Sequence, residues 1–130
     1  MTMQTRHPTK QYDLTFEVRN GYAYAYVAGE HDNLEICTAY WSEIGQKLSE
    51  HQIDKVMIVE DIPEESPLAD VYDLASGLID MGFRGVKIAF VDCYSGHQEL
   101  NDFGVLVGSN RGLVGKAFSD EAEAEAWLLS

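Results

Sequence analysis

The sequence KVMIVED at residues 55–61 decides the fold of this chain. Its unbroken apolar run, Val56 to Val59, is typical of a short strand that is buried on both faces of a parallel sheet. Residues 86–91 form a second run of the same kind. Between the two runs, residues 66–82 repeat apolar side chains at helical spacing and end at a glycine, which commonly terminates helices. A strand, a helix and a second strand predict a parallel pair joined by a right-handed crossover.

Residues 12–28 consist of two alternating segments joined by Asn20-Gly21. This dipeptide accepts the positive φ angles of a type I′ turn, so the pattern predicts a β-hairpin. Pairing across the turn places the apolar residues on one face: Leu14, Phe16, Val18, Ala23, Ala25 and Val27. The opposite face has Tyr22, Tyr24 and Tyr26 facing Asp13, Thr15, Glu17 and Arg19. The small alanines predict that a helix packs closely on the apolar face.

The other helices are predicted from apolar periodicity and from residues suited to their N-terminal caps. Asp32, together with Glu35, predicts the start of a helix over residues 33–50. The caps assigned to the later helices are Ser66 before Pro67, Ser95 with Gln98, and Ser119 or Asp120. With a last strand at residues 113–118, the order of elements is ββαβαβαβα. This order predicts an α/β fold whose sheet is mostly parallel, with one antiparallel strand at its N-terminal start.

The composition limits the number of domains and the kinds of partner. The 130 residues, 45% apolar and 24% charged, suit one globular domain. Residues 1–11 are polar and show no periodicity, which predicts a disordered N-terminal arm before a domain at residues 12–130. The formal net charge of -13 would repel phosphate backbones and anionic lipids. We therefore expect no nucleic-acid partner and no membrane-surface role.

The sequence also indicates the cellular compartment of the protein. No apolar run approaches the roughly 18 residues that a membrane-spanning helix needs. The N-terminal stretch has basic residues but lacks the apolar segment of a secretory signal. The two cysteines, Cys37 and Cys93, are too few for a disulfide framework. These features predict a cytoplasmic protein with reduced thiols.

Three stretches of the sequence resemble a known family. They are KVMIVED at residues 55–61, KIAFVD at residues 87–92 and FSDEAEAEAWL at residues 118–128. Together with the order of elements over residues 12–130, they resemble the STAS, or SpoIIAA-like, fold. The likeness is to a bacterial group of small stand-alone STAS-like proteins with no assigned function. It implies a (βα) superhelix that acts as a non-enzymatic module by binding a protein partner or a copy of itself.

The resemblance also implies a candidate regulatory serine. In the best-known STAS proteins, the antagonists of anti-sigma factors, a partner kinase phosphorylates a serine at the start of the helix after the middle strand. The matching region here is DIPEESP at residues 61–67, in which only Ser66 can fill that role. The paired Asp-Ser arrangement of those antagonists is missing, and Glu64 and Glu65 would repel a phosphate. Ser66 is therefore a phosphosite candidate, with a plain helix N-cap as the structural alternative.

Residues 92–99, DCYSGHQE, contain the side chains best suited to catalysis. They lie where a parallel strand ends and a helix begins, which is the usual place for ligands in open α/β sheets. Helix N-terminal amides would lower the pKa of Cys93, and His97 would act as its base. The structural alternative is a buried cysteine followed by a helix cap. No third residue that would orient the histidine is identifiable.

The sequence contains no recognisable metal or cofactor motif. The densest acidic cluster, at residues 60–73, lacks the alternating acids and glycine of a calcium loop. Its alternatives are solvated helix faces or an acidic rim for a basic partner. The four histidines are scattered without zinc-ligand spacing to a cysteine. The glycines around Arg111 match neither a dinucleotide-binding pattern nor a P-loop. We expect no metal and no cofactor.

Tyr22, Tyr24 and Tyr26 form a stripe on the second face of the sheet, where the middle strands are also apolar. That face needs a cover, from a second helix layer, a bound apolar ligand or another subunit. Tyrosine combines a large apolar area with a hydroxyl, which suits interfaces and half-wet pockets. The stripe therefore predicts a partner or ligand surface, in a homodimer or a ligand groove. Packing under a helix is the structural alternative.

Three functions follow from these patterns. The first is the non-enzymatic STAS-like interaction and regulatory module described above. The second is a carrier of a small apolar or amphipathic ligand, held in a groove near the tyrosines. The fold also resembles lipid-carrying domains of the CRAL-TRIO type, which use a sheet face as the floor of a ligand site. The third is a small thiol-dependent enzyme at Cys93 and His97.

Overall fold

The computed structural model describes residues 2–5 and 11–130 of the chain. The strands are β1 (Thr2–Thr5), β2 (Asp13–Arg19), β3 (Tyr22–Ala28), β4 (Lys55–Asp61), β5 (Lys87–Asp92) and β6 (Val114–Phe118). The helices are α1 (Leu34–His51), α2 (Leu68–Gly77), α3 (Gln98–Asn110) and α4 (Glu121–Leu128), with short 3₁₀ turns at Leu78–Asp80 and Ser95–His97. None of the described helices is both long enough and apolar enough to cross a membrane.

The strands lie in the sheet in the same order as in the chain. β2 and β3 form the antiparallel hairpin, and β3, β4, β5 and β6 are parallel neighbours. The α/β fold and the predicted order of elements from β2 to α4 are confirmed. The hairpin register is also as predicted, with Leu14 opposite Val27 and Arg19 opposite Tyr22.

The prediction of a disordered arm at residues 1–11 is wrong for Thr2–Thr5. This segment is β1 and pairs antiparallel with β2, from Thr2 opposite Glu17 to Thr5 opposite Leu14. The free backbone groups of an edge strand can recruit a neighbour without an apolar pattern in its sequence. The rest of the arm up to residue 10 lies outside the described residues.

The three crossover helices share one face of the sheet. Strands in chain order joined by crossovers of one hand place α1, α2 and α3 on the same side. On this face α1 packs over the hairpin alanines, as their small size predicted, with Ala23 and Ala25 fully buried. The largest buried side chains of this core include Phe16, Tyr40, Ile44, Leu48 and Phe83.

Helix α4 covers the second face of the sheet. Ala124 and Leu128 of α4 are fully buried against Met57 and Val59 of β4 and against Ala89 and Val91 of β5. Trp127 is packed on the same layer and its ring lies 5.7 Å from that of Phe118. The cover that this apolar face requires is therefore supplied by the chain's own last helix.

Three of the predicted helix caps are wrong. The side chain that caps α1 is Asn33, which accepts from the backbone N–H of Ile36 at 3.0 Å, and not Asp32. Pro67, and not Ser66, occupies the cap position of α2. A 3₁₀ turn rather than a Ser95–Gln98 box precedes α3. Short polar residues compete for neighbouring cap positions, and tertiary contacts decide among them. Asp120 caps α4 as predicted.

Candidate functional site

A cavity lies between the sheet and helices α1, α2 and α3. Its volume is about 120 Å³, somewhat less than the roughly 150 Å³ of a cavity that binds one benzene molecule. Its wall is mainly apolar and includes Trp41, Val71, Leu74, Leu78, Ile88, Phe90, Leu100, Val105 and Leu113. Asp32, Glu60, Ser66 and His97 line its polar end, where the parallel strands finish. Open α/β sheets bind their ligands at this end of the strands.

The polar end is organised around the buried hydroxyl of Tyr40 on α1. Its oxygen lies 2.6 Å from Oε2 of Glu60 and 3.4 Å from Oδ2 of Asp32. Glu60 comes from the end of β4, and Asp32 from the loop between β3 and α1. Because a hydroxyl has one hydrogen, Tyr40 donates to Glu60, the closer of the two carboxylates. The Tyr40 hydroxyl therefore stabilises the Asp32 carboxylate only weakly.

Burial changes the protonation of both carboxylates. Glu60 has its pKa raised from 4.5 to about 8, mainly by burial and then by the negative charge of Asp32. Burial likewise raises the pKa of Asp32 from 3.8 to about 6. Desolvation penalises a charged carboxylate, so a neighbouring cation would stabilise both groups. Without such a cation, Glu60 holds a proton at neutral pH.

Two polar side-chain oxygens at this end have no hydrogen-bond partner within the described part of the chain. They are Oδ1 of Asp32 and Oγ of Ser66, and both are buried. The Ser66 hydroxyl lies beside Asp32 and lowers its pKa, but no hydrogen bond of normal geometry joins the two. Buried polar atoms without a protein partner are uncommon in folded proteins and point to a water, an ion or a ligand as their partner.

His97 forms the opposite side of the polar end and is locked by two acceptors. Its Nε2 lies 3.0 Å from the carbonyl oxygen of Pro63, and its Nδ1 lies 3.0 Å from Oδ2 of Asp92. Asp92 also accepts from Asn101 and from the backbone N–H of Tyr94. Both ring nitrogens of His97 are therefore held by hydrogen bonds within the protein.

Glu60, Asp92 and His97 also meet the spacing of a metal site. Each offers one ligand atom, and the three atoms lie within 4.8 Å of one another. A metal ion would have to displace the hydrogen bond between His97 and Asp92, because each ligand atom needs a free lone pair to bind it. His97 and Asp92 already satisfy each other through this hydrogen bond. The absence of a metal remains a prediction.

Cys93 and His97 are not brought together. His97 faces the cavity, whereas Cys93 follows β5 by one residue and faces the α4 side, because side chains alternate along a strand. Burial and the nearby carboxylates, Asp61 first among them, raise the pKa of Cys93. Negative neighbours disfavour a thiolate, so this environment is the reverse of the activating one that the sequence suggested.

Ser66, the phosphosite candidate, lies inside the polar end of the cavity. It is only 9% exposed, and its neighbour Asp32 is an acid. A kinase would need to open this segment, and the phosphate would meet the buried carboxylates. Phosphorylation of Ser66 remains a prediction of the family resemblance. The geometry supports a different role, as a hydroxyl lining the cavity.

The tyrosine stripe lies on the α4 face, as the hairpin pattern predicted. Tyr22 is buried, and its hydroxyl donates to Glu125 of α4 at 2.6 Å. Tyr24 is half-buried with the guanidinium of Arg19 3.7 Å from its ring centre, and Tyr26 donates to Asp61. A second subunit or a ligand groove was predicted because the second sheet face needs a cover. Helix α4 covers that face. A partner at Tyr24 and Tyr26 stays a prediction.

The acidic cluster at residues 60–73 is dispersed by the fold. Glu60 enters the cavity, while Asp61 points to the other face and accepts from the Tyr94 hydroxyl at 3.0 Å. Glu64 is exposed and pairs with Nδ1 of His31 at 3.0 Å. Asp70 accepts from the backbone N–H of Leu34 at 2.9 Å and so stabilises the start of α1. These acids therefore serve separate parts of the structure rather than one acidic rim.

The sequence predicts other roles for the two acids that form the polar end. It predicts Asp32 as a helix cap, and Glu60 as part of an acidic cluster that is either solvated or a rim for a basic partner. One signal was available, since Glu60 and Asp92 each come directly after an apolar strand run. They are partners in the β4–β5 register, which brings them to the same edge of the sheet. Tyr40 gave no signal beyond its place on the apolar face of a helix.

Fold and site together define an α/β domain with a ligand-sized cavity at the carboxyl ends of its parallel strands. Comparison of the sequence with known protein families gives no match, and neither does a search of curated proteins. The interpretation of the site therefore depends on its chemistry alone.

Proposed function

We propose that this protein is a non-enzymatic, STAS-like binding module that holds a small amphipathic molecule in the cavity between its sheet and α1, α2 and α3. One observation supports this most strongly. An apolar cavity of about 120 Å³ ends at two buried acceptors, on Asp32 and Ser66, that no described residue satisfies. Apolar walls with a few convergent polar groups are the usual form of a small-molecule site.

This proposal keeps the carrier function predicted from the sequence but places the ligand at a different site. The sequence placed the ligand groove near the tyrosines on the second sheet face, which α4 covers. The cavity lies on the opposite face, under the crossover helices. The strand order, which follows the chain, is that of a (βα) superhelix and supports the STAS-like resemblance. A cytoplasmic location is part of the proposal, from the reduced thiols expected there.

The chemistry of the site favours binding over catalysis. Cys37 is the thiol that lines the cavity, and burial together with Asp32 and Glu60 raises its pKa to about 12. Such a thiol stays protonated and is a poor nucleophile. Its Sγ donates to the carbonyl oxygen of Leu34 at 3.6 Å. His97 already uses both ring nitrogens on Asp92 and Pro63, so it is not free to act as a general base.

A protein-interaction function is the second candidate, and exposed apolar residues favour it. Leu68 and Tyr72 on α2 and Leu106 on α3 are between 44% and 59% exposed. Helix surfaces with such residues occur at protein interfaces. In this alternative the module would bind a protein partner or its own copy on the helical side of the sheet. Alanine substitution of all three would abolish that binding and leave ligand binding intact.

The proposed function is tested by titrating the ¹⁵N-labelled chain with 1-hexanol, a molecule small enough for the cavity. We expect amide shifts to concentrate at the cavity wall on β5, α2 and α3. Ala75→Leu would fill part of the cavity and weaken binding, because Ala75 is a buried lining residue. Ala126→Leu, on the exposed side of α4, is the matched control. Shifts spread over the whole surface, or equal binding by both variants, would contradict the proposal.

A further inference from the structure

The polar end of the cavity has acidic side chains and no cation placed to pair with them among the described residues that line it. Asp32, Glu60 and Glu65 line the cavity, and Asp32 and Glu60 are its buried acids. Lys116 also lines the cavity, but its ammonium lies 5.4 Å from the ring centre of Phe118, on the α4 face. His97 is hydrogen-bonded to Asp92 and to the carbonyl oxygen of Pro63. A cation that reaches this end would pair with Asp32 and would replace the proton that Glu60 otherwise holds.

The groups at this end are mainly hydrogen-bond acceptors, and the Ser66 hydroxyl can both donate and accept. Tyr40 contacts Oδ2 of Asp32 and Oε2 of Glu60. Oδ1 of Asp32, only 5% of whose residue surface is exposed, has no partner in the part of the chain that the structure describes. The same holds for Oγ of Ser66. A ligand head with several hydrogens and a positive charge would satisfy all of these atoms.

We propose that the ligand of this cavity is a small primary amine, bound as its ammonium ion by Asp32 and Glu60 with its hydrocarbon body along the apolar wall. This inference rests on the proposed function. A protonated amine has three donors and no acceptor, which matches Asp32 Oδ1, Ser66 Oγ and the Glu60 carboxylate. Hydrogen bonds between ions are roughly twice as strong as neutral ones, and more so away from water.

The apolar part of the cavity suits the body of such an amine. Trp41 and Phe90 are stacked with ring centres 6.1 Å apart, and both line the cavity. Leu74 and Leu78 continue the wall from α2. A chain of about six carbons is close in size to the benzene that a cavity of roughly 150 Å³ binds, and the volume here is about 120 Å³. A bare metal ion would leave this apolar space unfilled.

The raised pKa values of Glu60 and Asp32 agree with the proposal. Both show that this end of the cavity favours the addition of positive charge. A bound ammonium would supply that charge in place of the proton on Glu60. A carboxylate ligand would instead add a further negative charge to the pair and would be repelled.

Three six-carbon compounds that differ only in the head group test the inference: hexylamine, 1-hexanol and hexanoate. We measure their dissociation constants with the full chain by the amide-shift titration described above. Hexylamine should bind about tenfold to a hundredfold more tightly than 1-hexanol, from one charge-assisted contact pair. Hexanoate should bind more weakly than 1-hexanol.

Substitutions then assign the effect to the acids. Asp32→Asn and Glu60→Gln should each reduce the advantage of hexylamine over 1-hexanol and leave the affinity for 1-hexanol nearly unchanged. Glu50→Gln is the matched control, because Glu50 is an exposed acid at the end of α1 and is not among the residues that line the cavity. If a variant fails to fold, the order of affinities of the three compounds for the unsubstituted chain still tests whether the cavity prefers an amine.

The outcomes separate this inference from the proposed function. If 1-hexanol binds and hexylamine binds no more tightly, the inference that the ligand is an amine is wrong. The proposed function, binding of a small amphipathic molecule in the cavity, would still hold. Failure of all three compounds to bind would overturn both. A final experiment titrates the chain with Mn²⁺ or Zn²⁺. Tight metal binding that is lost in His97→Gln, without a preference for the amine, would assign the site to a metal ion and overturn the inference.

Discussion

Replacing the buried carboxyl of Glu60 with an amide should remove most of the pH dependence of stability near neutrality. The pKa of Glu60 is about 8 in the folded chain, against an ordinary value of 4.5. Between these values the folded state holds one more proton than the unfolded state. The stability from this group is therefore complete below pH 4.5 and is lost as the pH rises through 8. The amide introduced by Glu60→Gln would have no proton to lose.

The magnitude follows from the two pKa values of Glu60. Integrating its proton uptake from pH 6 to pH 8 gives a loss of about 2 kcal/mol in the free energy of unfolding. Asp32, with a pKa raised to about 6, adds a loss of about 0.5 kcal/mol over the same range. We therefore expect the unsubstituted chain to lose about 2.5 kcal/mol and Glu60→Gln to lose about 0.5 kcal/mol.

The assay is urea unfolding at pH 6, 7 and 8, followed by tryptophan fluorescence. Glu50→Gln is the control, because Glu50 is an exposed acid on α1 and the substitution removes a carboxyl that is not buried. An equally steep decline in Glu60→Gln and in the unsubstituted chain would refute the reasoning. It would mean that Glu60 is ionised in the folded state and that another group causes the pH dependence.

Two further predictions concern the packing of the helices. Gly45→Ala should destabilise the fold by about 2 to 3 kcal/mol, because its Cβ would clash with the carbonyl oxygen of Met81. Gly77→Ala, whose Cβ meets nothing within 4 Å, is the paired control and should be neutral or slightly stabilising in urea unfolding. Leu128→Ala should cost about 2 to 5 kcal/mol, since Leu128 is fully buried under the second sheet face. Leu129→Ala at an exposed site should cost under about 0.5 kcal/mol, and equal melting temperatures for these two variants would show that α4 does not seal that face.

The fold could be predicted largely because its signals are local. The period of two in residues 12–28 fixed both the hairpin register and the face on which each side chain lies. The two-sided apolar runs identified β4 and β5 as central parallel strands. Local sequence also narrowed the cap of α4 to Ser119 or Asp120, of which the structure has Asp120.

The site could not be predicted in the same way because it depends on the order of strands in space. Glu60 and Asp92 become neighbours only through the β4–β5 register, and Asp32 reaches them only through the Tyr40 hydroxyl. In the sequence, Asp32 is equally well placed to cap a helix, and only the tertiary structure assigns that role to Asn33. The cover of the second sheet face had three candidates until the position of α4 was known.

The agreement between strand order and chain order has a consequence for how the protein forms during synthesis. Each strand from β2 to β6 pairs with the strand made just before it, so no strand waits for a later partner. Chain growth can therefore extend the sheet one strand at a time, and from β4 onward each step closes one helical crossover. The last helix is the exception, because α4 folds back over β4 and β5 and reaches Tyr22 through Glu125. A nascent chain would keep the second apolar face bare until α4 leaves the ribosome, and that interval is when a chaperone would be needed most.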